Sequence, residues 1–154
     1  MILNIGNKDY KIEYSIEASL NEECVSQITD YISGVNRTEA KTPLHALLDN
    51  VKDKPSAVLS MLYAGLLENH GAEGDGTVMS KSDAKKLMKQ YFIEHKEDGK
   101  GNYYDLYALL FGQIEEDGFF ALIGLEQTIN DMTTLVEKMA EVQQTKTTRK
   151  KAKN

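Results

Sequence analysis

The chain has 154 residues, of which 41% are hydrophobic, and a formal net charge of −6; that length suits one domain with a real core. The charge is uneven: residues 146–154 hold Lys146, Arg149, Lys150, Lys151 and Lys153 and no acid, which leaves −11 on residues 1–145. So acidic a body repels phosphate backbones, which argues against a nucleic-acid-binding body, and no apolar run is long enough to span a bilayer.

In chain order, Ile2-Leu3-Asn4-Ile5 and Tyr10-Lys11-Ile12-Glu13-Tyr14 come first. Apart from Ile2, apolar bulk at Leu3, Ile5, Tyr10, Ile12 and Tyr14 alternates with polar residues, which predicts two strands with one buried face. Gly6-Asn7-Lys8-Asp9 supplies the turn between them. A lone hairpin is marginal in water, so this one must lie on helices or on another subunit.

Ile16, Leu20, Val25, Ile28 and Ile32 follow at roughly helical spacing and predict a helix ending at Gly34. The polar stretch 35–41 reads as a linker. Thr42-Pro43 is a helix start, with Thr as N-cap and Pro at the first helical position, for a short helix through Val51. Pro55 opens another helix, apolar nearly all round from Ala57 to Leu67, the mark of a central buried helix.

The glycine-rich stretch Gly71 to Thr77 predicts a mobile loop. Ser80-Lys81-Ser82-Asp83 resembles a capping box with Asp in place of Glu, and Ala84, Leu87, Met88 and Tyr91 form a helical stripe behind it. After a turn over Glu97 to Asn102, Tyr103, Tyr107, Leu110, Phe111 and Ile114 form the next stripe.

A last helix is expected from near Gly118. Along it Leu122, Leu125, Ile129, Met132, Val136 and Met139 recur at alternating spacings of three and four. That seam packs either on the domain's own core or on a partner helix or second copy. The expected fold class is α+β, mostly α: an N-terminal β-hairpin (1–14) on a bundle of about five to six helices. It forms a single domain over 1–143, with a disordered basic C-terminal tail over 144–154.

No chemistry-bearing constellation is visible. His45, His70 and His95 fall on separate segments without zinc-motif spacing. Aligned as an EF-hand loop, Gly71 and Ser82 occupy positions that need carboxylates. Gly76-Thr77-Val78 lacks the lysine of a phosphate loop. Adjacent acids such as Glu22-Glu23 and Glu115-Glu116 do not face each other on a helix. Cys24 is the single cysteine, so no internal disulfide forms, and it reads as a small, half-buried helix residue. The start lacks a signal peptide's basic region and apolar run. The expectation is a non-enzymatic cytoplasmic protein with no cofactor and no metal.

The opening Gly6-Asn7-Lys8-Asp9-Tyr10-Lys11-Ile12, then Leu59-Ser60-Met61-Leu62-Tyr63-Ala64-Gly65, then the acidic segments Ser82 to Glu97 and Tyr103 to Asp117 together resemble the tail assembly chaperones of long-tailed phages of Gram-positive bacteria. The likeness spans most of residues 1–120 and rests on the order of the pieces; each motif is short. The long final helix and basic tail depart from it.

The resemblance implies a non-enzymatic factor of the host cytoplasm, absent from the mature virion. Such a factor binds the tape-measure protein, keeps it soluble and helps recruit the tail-tube protein. The Leu122 to Met139 seam is the candidate partner-binding surface, for the tape measure or for self-association, and the hairpin edge is a second. Two alternatives stay open: nucleic-acid binding through the basic tail, and a structural tail or connector subunit.

Overall fold

In the computed structural model, which describes residues 1–33, 43–127, 130, 131 and 134 (side chains of 32, 33, 43–50 and 52 excepted), the chain opens with β1 (Ile2–Ile5) and β2 (Lys8–Lys11). They pair antiparallel in the register Ile2↔Lys11, Leu3↔Tyr10, Asn4↔Asp9 and Ile5↔Lys8. The turn is tighter than the four residues expected. Gly6 and Asn7 both have positive φ, 60° and 62°, the signature of a two-residue type I′ loop whose twist matches the strands. Lys8 and Asp9 therefore belong to the second strand.

That strand also ends sooner than Tyr14. Past Ile12 the backbone leaves the sheet: the Glu13 amide donates to the Gly65 carbonyl at 2.8 Å, and the Tyr14 amide to Asp117 Oδ2 at 2.7 Å. The alternation still sets the buried face, for Leu3, Ile5, Tyr10, Ile12 and Tyr14 are all buried.

The helix expected from Ile16 to Gly34 is two helices, α1 (Ile16–Leu20) and α2 (Glu22–Ser33). Asn21 divides them. Its backbone leaves the helical region, with φ −86° and ψ 89°, while its side-chain oxygen accepts from the Cys24 amide at 3.0 Å. Side-chain capping of this kind is why Asn competes with helix continuation. Ile16 and Leu20 are exposed rather than core, whereas Cys24 and Ile28 are fully buried. Burial pushes the Cys24 thiol up to about 11, which leaves it unreactive.

The two helices expected on either side of Pro55 are one, α3 (Pro43–His70). An interior proline costs about 3 kcal/mol through its missing N–H and ring clash. Here the helix is the hub on which α1, α2 and β2 pack, together with α4 (Lys81–Glu94) and α5 (Tyr103–Glu116). Ala57, Val58, Met61, Leu62, Ala64 and Leu66 are buried along it. At about 1.5–3 kcal/mol for each large apolar side chain, that packing offsets the proline. Thr42, expected as its cap, lies outside the described residues, as does the linker 35–41.

Ser80 caps α4 as anticipated: its oxygen accepts from the Asp83 amide at 3.3 Å while its hydroxyl donates to Asp83 Oδ2 at 2.8 Å. Asn102 caps α5, accepting from the amides of Tyr104 and Asp105. The face of α5 that is buried differs from the expected stripe. Leu106, Leu110, Gln113 and Ile114 are buried, while Tyr103, Tyr107 and Phe111 are half-buried. These rings pack at the helix edge instead, Tyr103 against Phe92 with centroids 4.8 Å apart and Tyr107 against Tyr31 at 5.2 Å.

The helix expected from Gly118 is interrupted. α6 (Phe119–Leu122) is one turn long, and Gly124 then takes φ 73°, a left-handed conformation that stops a helix and that glycine adopts without a Cβ penalty. Residues 125–127 are helical again. By its internal contacts the chain divides into two units, Met1–Phe119 and Phe120–Asn154. The basic tail lies outside the described residues. Among the described residues no helix is long and apolar enough to cross a membrane.

Candidate functional site

Of the seam residues, Leu122 is exposed at the end of α6 and Leu125 is half-buried beyond Gly124. The glycine places them on separate helical segments, so the spacing of three between them is not one turn of a continuous face. Ile129, Met132, Val136 and Met139 lie outside the described residues.

The second candidate surface, the hairpin, is described in full. Its seat is Gly65. A Cβ there would lie 2.6 Å from Ile12 Cγ2 and 3.1 Å from Tyr14 Cζ, so the hairpin's exit approaches α3 as closely as only glycine allows. The Tyr14 ring continues inward. It packs on Phe119 with centroids 5.6 Å apart, and its hydroxyl donates to the Met61 carbonyl at 2.9 Å. Burial, then the charge of Asp117, holds the Tyr14 phenol well above its ordinary value.

Polar anchors surround that seat. The Gly6 amide at the turn donates to both Glu94 carboxylate oxygens, at 3.0 and 3.2 Å, and Gln90 steadies Glu94 at 2.7 Å. Asp117 takes the Tyr14 amide on one oxygen and the Gln113 amide group on the other, at 2.7 Å each. The Ser15 hydroxyl donates to Glu68. Lys11 pairs with Glu13 at 2.6 Å, and that bond first, then Asn69, holds the Glu13 carboxyl below its usual value.

His70, at the C-terminus of α3, ties the hairpin to the glycine-rich loop. The Lys11 amide donates to its Nε2 at 3.0 Å, and its Nδ1 lies 2.9 Å from Asp75 Oδ2. Asp75 is the hub of the loop, accepting from the Thr77 amide at 3.0 Å and the Thr77 hydroxyl at 2.5 Å. The Thr77 hydroxyl and amide, then His70, hold its carboxyl far below the usual range. The expected mobile loop is thus bonded through its own polar groups, with the Val78 amide closing on the His70 carbonyl at 2.8 Å.

One side of the hairpin stays open. Met1 and Ile12 exchange bonds in both directions, the Met1 amino group to the Ile12 carbonyl at 3.1 Å and the Ile12 amide to the Met1 carbonyl at 2.8 Å. The antiparallel alternation then turns the backbone groups of Ile2 and Asn4 to the outer edge of β1. No hydrogen-bond partner for them occurs among the described residues. Ile2 is also 64% exposed.

A polar cleft of about 230 Å³ opens between α2 and α3, lined by Gln27, Asp30, Tyr31, Asp53, Ser56 and Ala57. Its serine is not set up as a nucleophile: the Ser56 and Ser60 hydroxyls both donate to Gln27 Oε1, at 2.8 and 2.6 Å. Beside it Lys54 sits over the Tyr104 and Tyr107 rings, 5.1 and 5.0 Å from their centroids. Neither ring nitrogen of His70 is open to a metal, and His95 Nδ1 is taken by Asp98 at 2.8 Å. Among the described residues no group of three or more His, Cys, Asp or Glu is placed to hold one.

Sequence reasoning weighed His70 as a zinc ligand and missed it as a joint. It also missed Glu94 and Asp117 as hairpin anchors, because each bonds a residue about ninety to a hundred positions away, a distance no local pattern reports. A scan of protein-family models, a search of curated proteins and a search of solved structures each found no match.

Proposed function

We propose that the chain is a non-enzymatic tail assembly chaperone of a long-tailed phage, acting in the bacterial cytoplasm. It binds the tape-measure protein, keeps it soluble and helps recruit tail-tube subunits without entering the virion. The observation that carries the reading is the order of hairpin, buried helix and acidic helices. A physical link between two of those pieces supports it: Gly65, in the buried helix, is the seat of Ile12, Glu13 and Tyr14 from the hairpin. A tape-measure protein exposes apolar helical surface until the tube encloses it, and a carrier for it needs apolar docking surface on an acidic, soluble body. The segment from Leu122 to Met139, interrupted at Gly124, and the outer edge of β1 are the surfaces proposed for the task.

Co-expression with the tape-measure protein encoded beside it tests the proposal. The expected result is a soluble complex of the two chains, with this chain missing from purified virions. A tape-measure protein that stays insoluble overturns the reading, and this chain in washed virions favours a connector subunit. Met132→Glu with Val136→Glu locates the surface. If the seam docks the partner, the pair abolishes the complex and leaves a cooperative melt. An intact complex moves the surface to β1. Binding of nucleic acid by a chain ending at Thr145 would favour neither reading, because the basic residues of the tail are then gone.

A further inference from the structure

We propose that His70 is a proton-gated clasp: neutral, it holds the hairpin through the Lys11 amide, and protonated at Nε2 it lets that strand go. The geometry decides the tautomer. A backbone N–H can only donate, so Nε2, 3.0 Å from the Lys11 nitrogen, must present its lone pair. The ring's proton then sits on Nδ1 and is donated to Asp75 Oδ2, 2.9 Å away. His70 is 6% exposed.

A second proton on the ring would sit on Nε2, facing the Lys11 N–H. Two donors cannot share a 3.0 Å contact, and the part-buried Lys11 amide loses its acceptor, at a cost. The contact to Asp75 is kept in both charge states, because Nδ1–H donates in both. Protonation therefore acts on one bond, the one between β2 and α3.

The groups facing the ring from each side are few. From β2 come the Tyr10 ring, with centroids 5.1 Å apart, and Lys8, whose Nζ is 3.5 Å from Asp75 Oδ2 and 5.1 Å from the Tyr10 centroid. From the loop comes Asp75. The Lys11 ammonium is turned away to Glu13, which also takes Asn69 at 3.1 Å. Histidine is the side chain whose charge ordinarily changes between pH 5 and 8, and that range is the one over which the clasp is tested.

The test uses the full chain, labelled with ¹⁵N, from pH 8 to pH 5. Imidazole ¹H–¹⁵N correlation reports the state of the His70 ring, and amide exchange reports the protection of Lys11 against that of Leu110 in the core. At pH 8 the proton is expected on Nδ1. As the ring gains its second proton, Lys11 protection should fall by about tenfold, the worth of one hydrogen bond, with Leu110 unchanged. In His70→Gln the amide oxygen can still accept from Lys11 and cannot titrate, so Lys11 stays protected throughout. Four results each overturn the clasp: a proton on Nε2 at pH 8, a ring that stays neutral to pH 5, Lys11 protection that ignores the ring's titration, or loss at Leu110 together with Lys11. All four are read in the unsubstituted chain and do not depend on the variant folding.

Discussion

The helix ends at His70 and His95 use the same local chemistry to different ends. In each, the histidine Nδ1 meets an aspartate a few residues on, Asp75 at 2.9 Å and Asp98 at 2.8 Å. In each, that aspartate accepts the amide two residues further, Thr77 at 3.0 Å and Lys100 at 2.9 Å. The second ring nitrogen separates them. That of His70 is buried against the Lys11 amide, whereas His95 packs on Tyr91, with centroids 4.3 Å apart and its side chain 32% exposed. The same motif caps its own loop at one place and is a tertiary joint at the other, because at the end of α3 the hairpin's Lys11 amide meets the ring, whereas at the end of α4 the hairpin's turn bonds Glu94 instead of the histidine.

The largest expected effect separates the two histidines. His70→Ala orphans the Lys11 amide and removes one partner each from Asp75 and Tyr10, and should cost about 2–4 kcal/mol in urea unfolding. His95→Ala loses a half-exposed contact worth about 1 kcal/mol or less. Equal losses would show that His70 too is a local cap.

Gly65→Ala tests the other side of the joint. Alanine is ordinarily about 1 kcal/mol better than glycine inside a helix. Here its Cβ would meet Ile12 at 2.6 Å, so the sign should reverse to a loss of about 1–3 kcal/mol. A melting temperature equal to or above that of the parent would mean the hairpin can lift from α3 at no cost.

A smaller effect sharpens the comparison of the aspartates. Asp75 and Asp98 are both held below the ordinary carboxylate value. For Asp75 the first cause is the Thr77 hydroxyl, and for Asp98 it is the bond from His95. A carboxylate lowered on folding contributes stability above its unfolded value near pH 4 and loses it as pH falls through the folded value. Carboxyl ¹³C titration should therefore find Asp75 and Asp98 both still charged below pH 4. Thr77→Val should move the Asp75 titration upward and leave that of Asp98 in place. An unmoved Asp75 would assign its depression to His70 instead.

How far these features were legible depended on their reach along the chain. The hairpin's buried face, the Ser80 cap and the central helix follow from neighbours within four residues, and local pattern reported them. Pro55 and Asn21 misled in opposite directions. A proline that usually ends a helix sits inside α3 because that helix is packed from several sides, and an asparagine that looks neutral ends α1 by capping α2. Gly124 was present in the sequence as a helix breaker, but the regular spacing from Leu122 onward masked it.

Residue order alone determined that a hairpin opens the chain ahead of helices, which face of that hairpin is apolar and where Ser80 caps α4, because those depend on periodicity and on caps within a turn or two. What required the folded chain was where the hairpin lands. Leu3, Ile5, Tyr10, Ile12 and Tyr14 specify an apolar face without specifying its floor. The floor came from Gly65, His70, Glu94 and Asp117, which lie on three different helices or their ends. Only when α3, α4 and α5 pack together do a missing Cβ, a ring nitrogen and two carboxylates converge on the hairpin's backbone, and convergence of that kind leaves no periodic trace in the sequence.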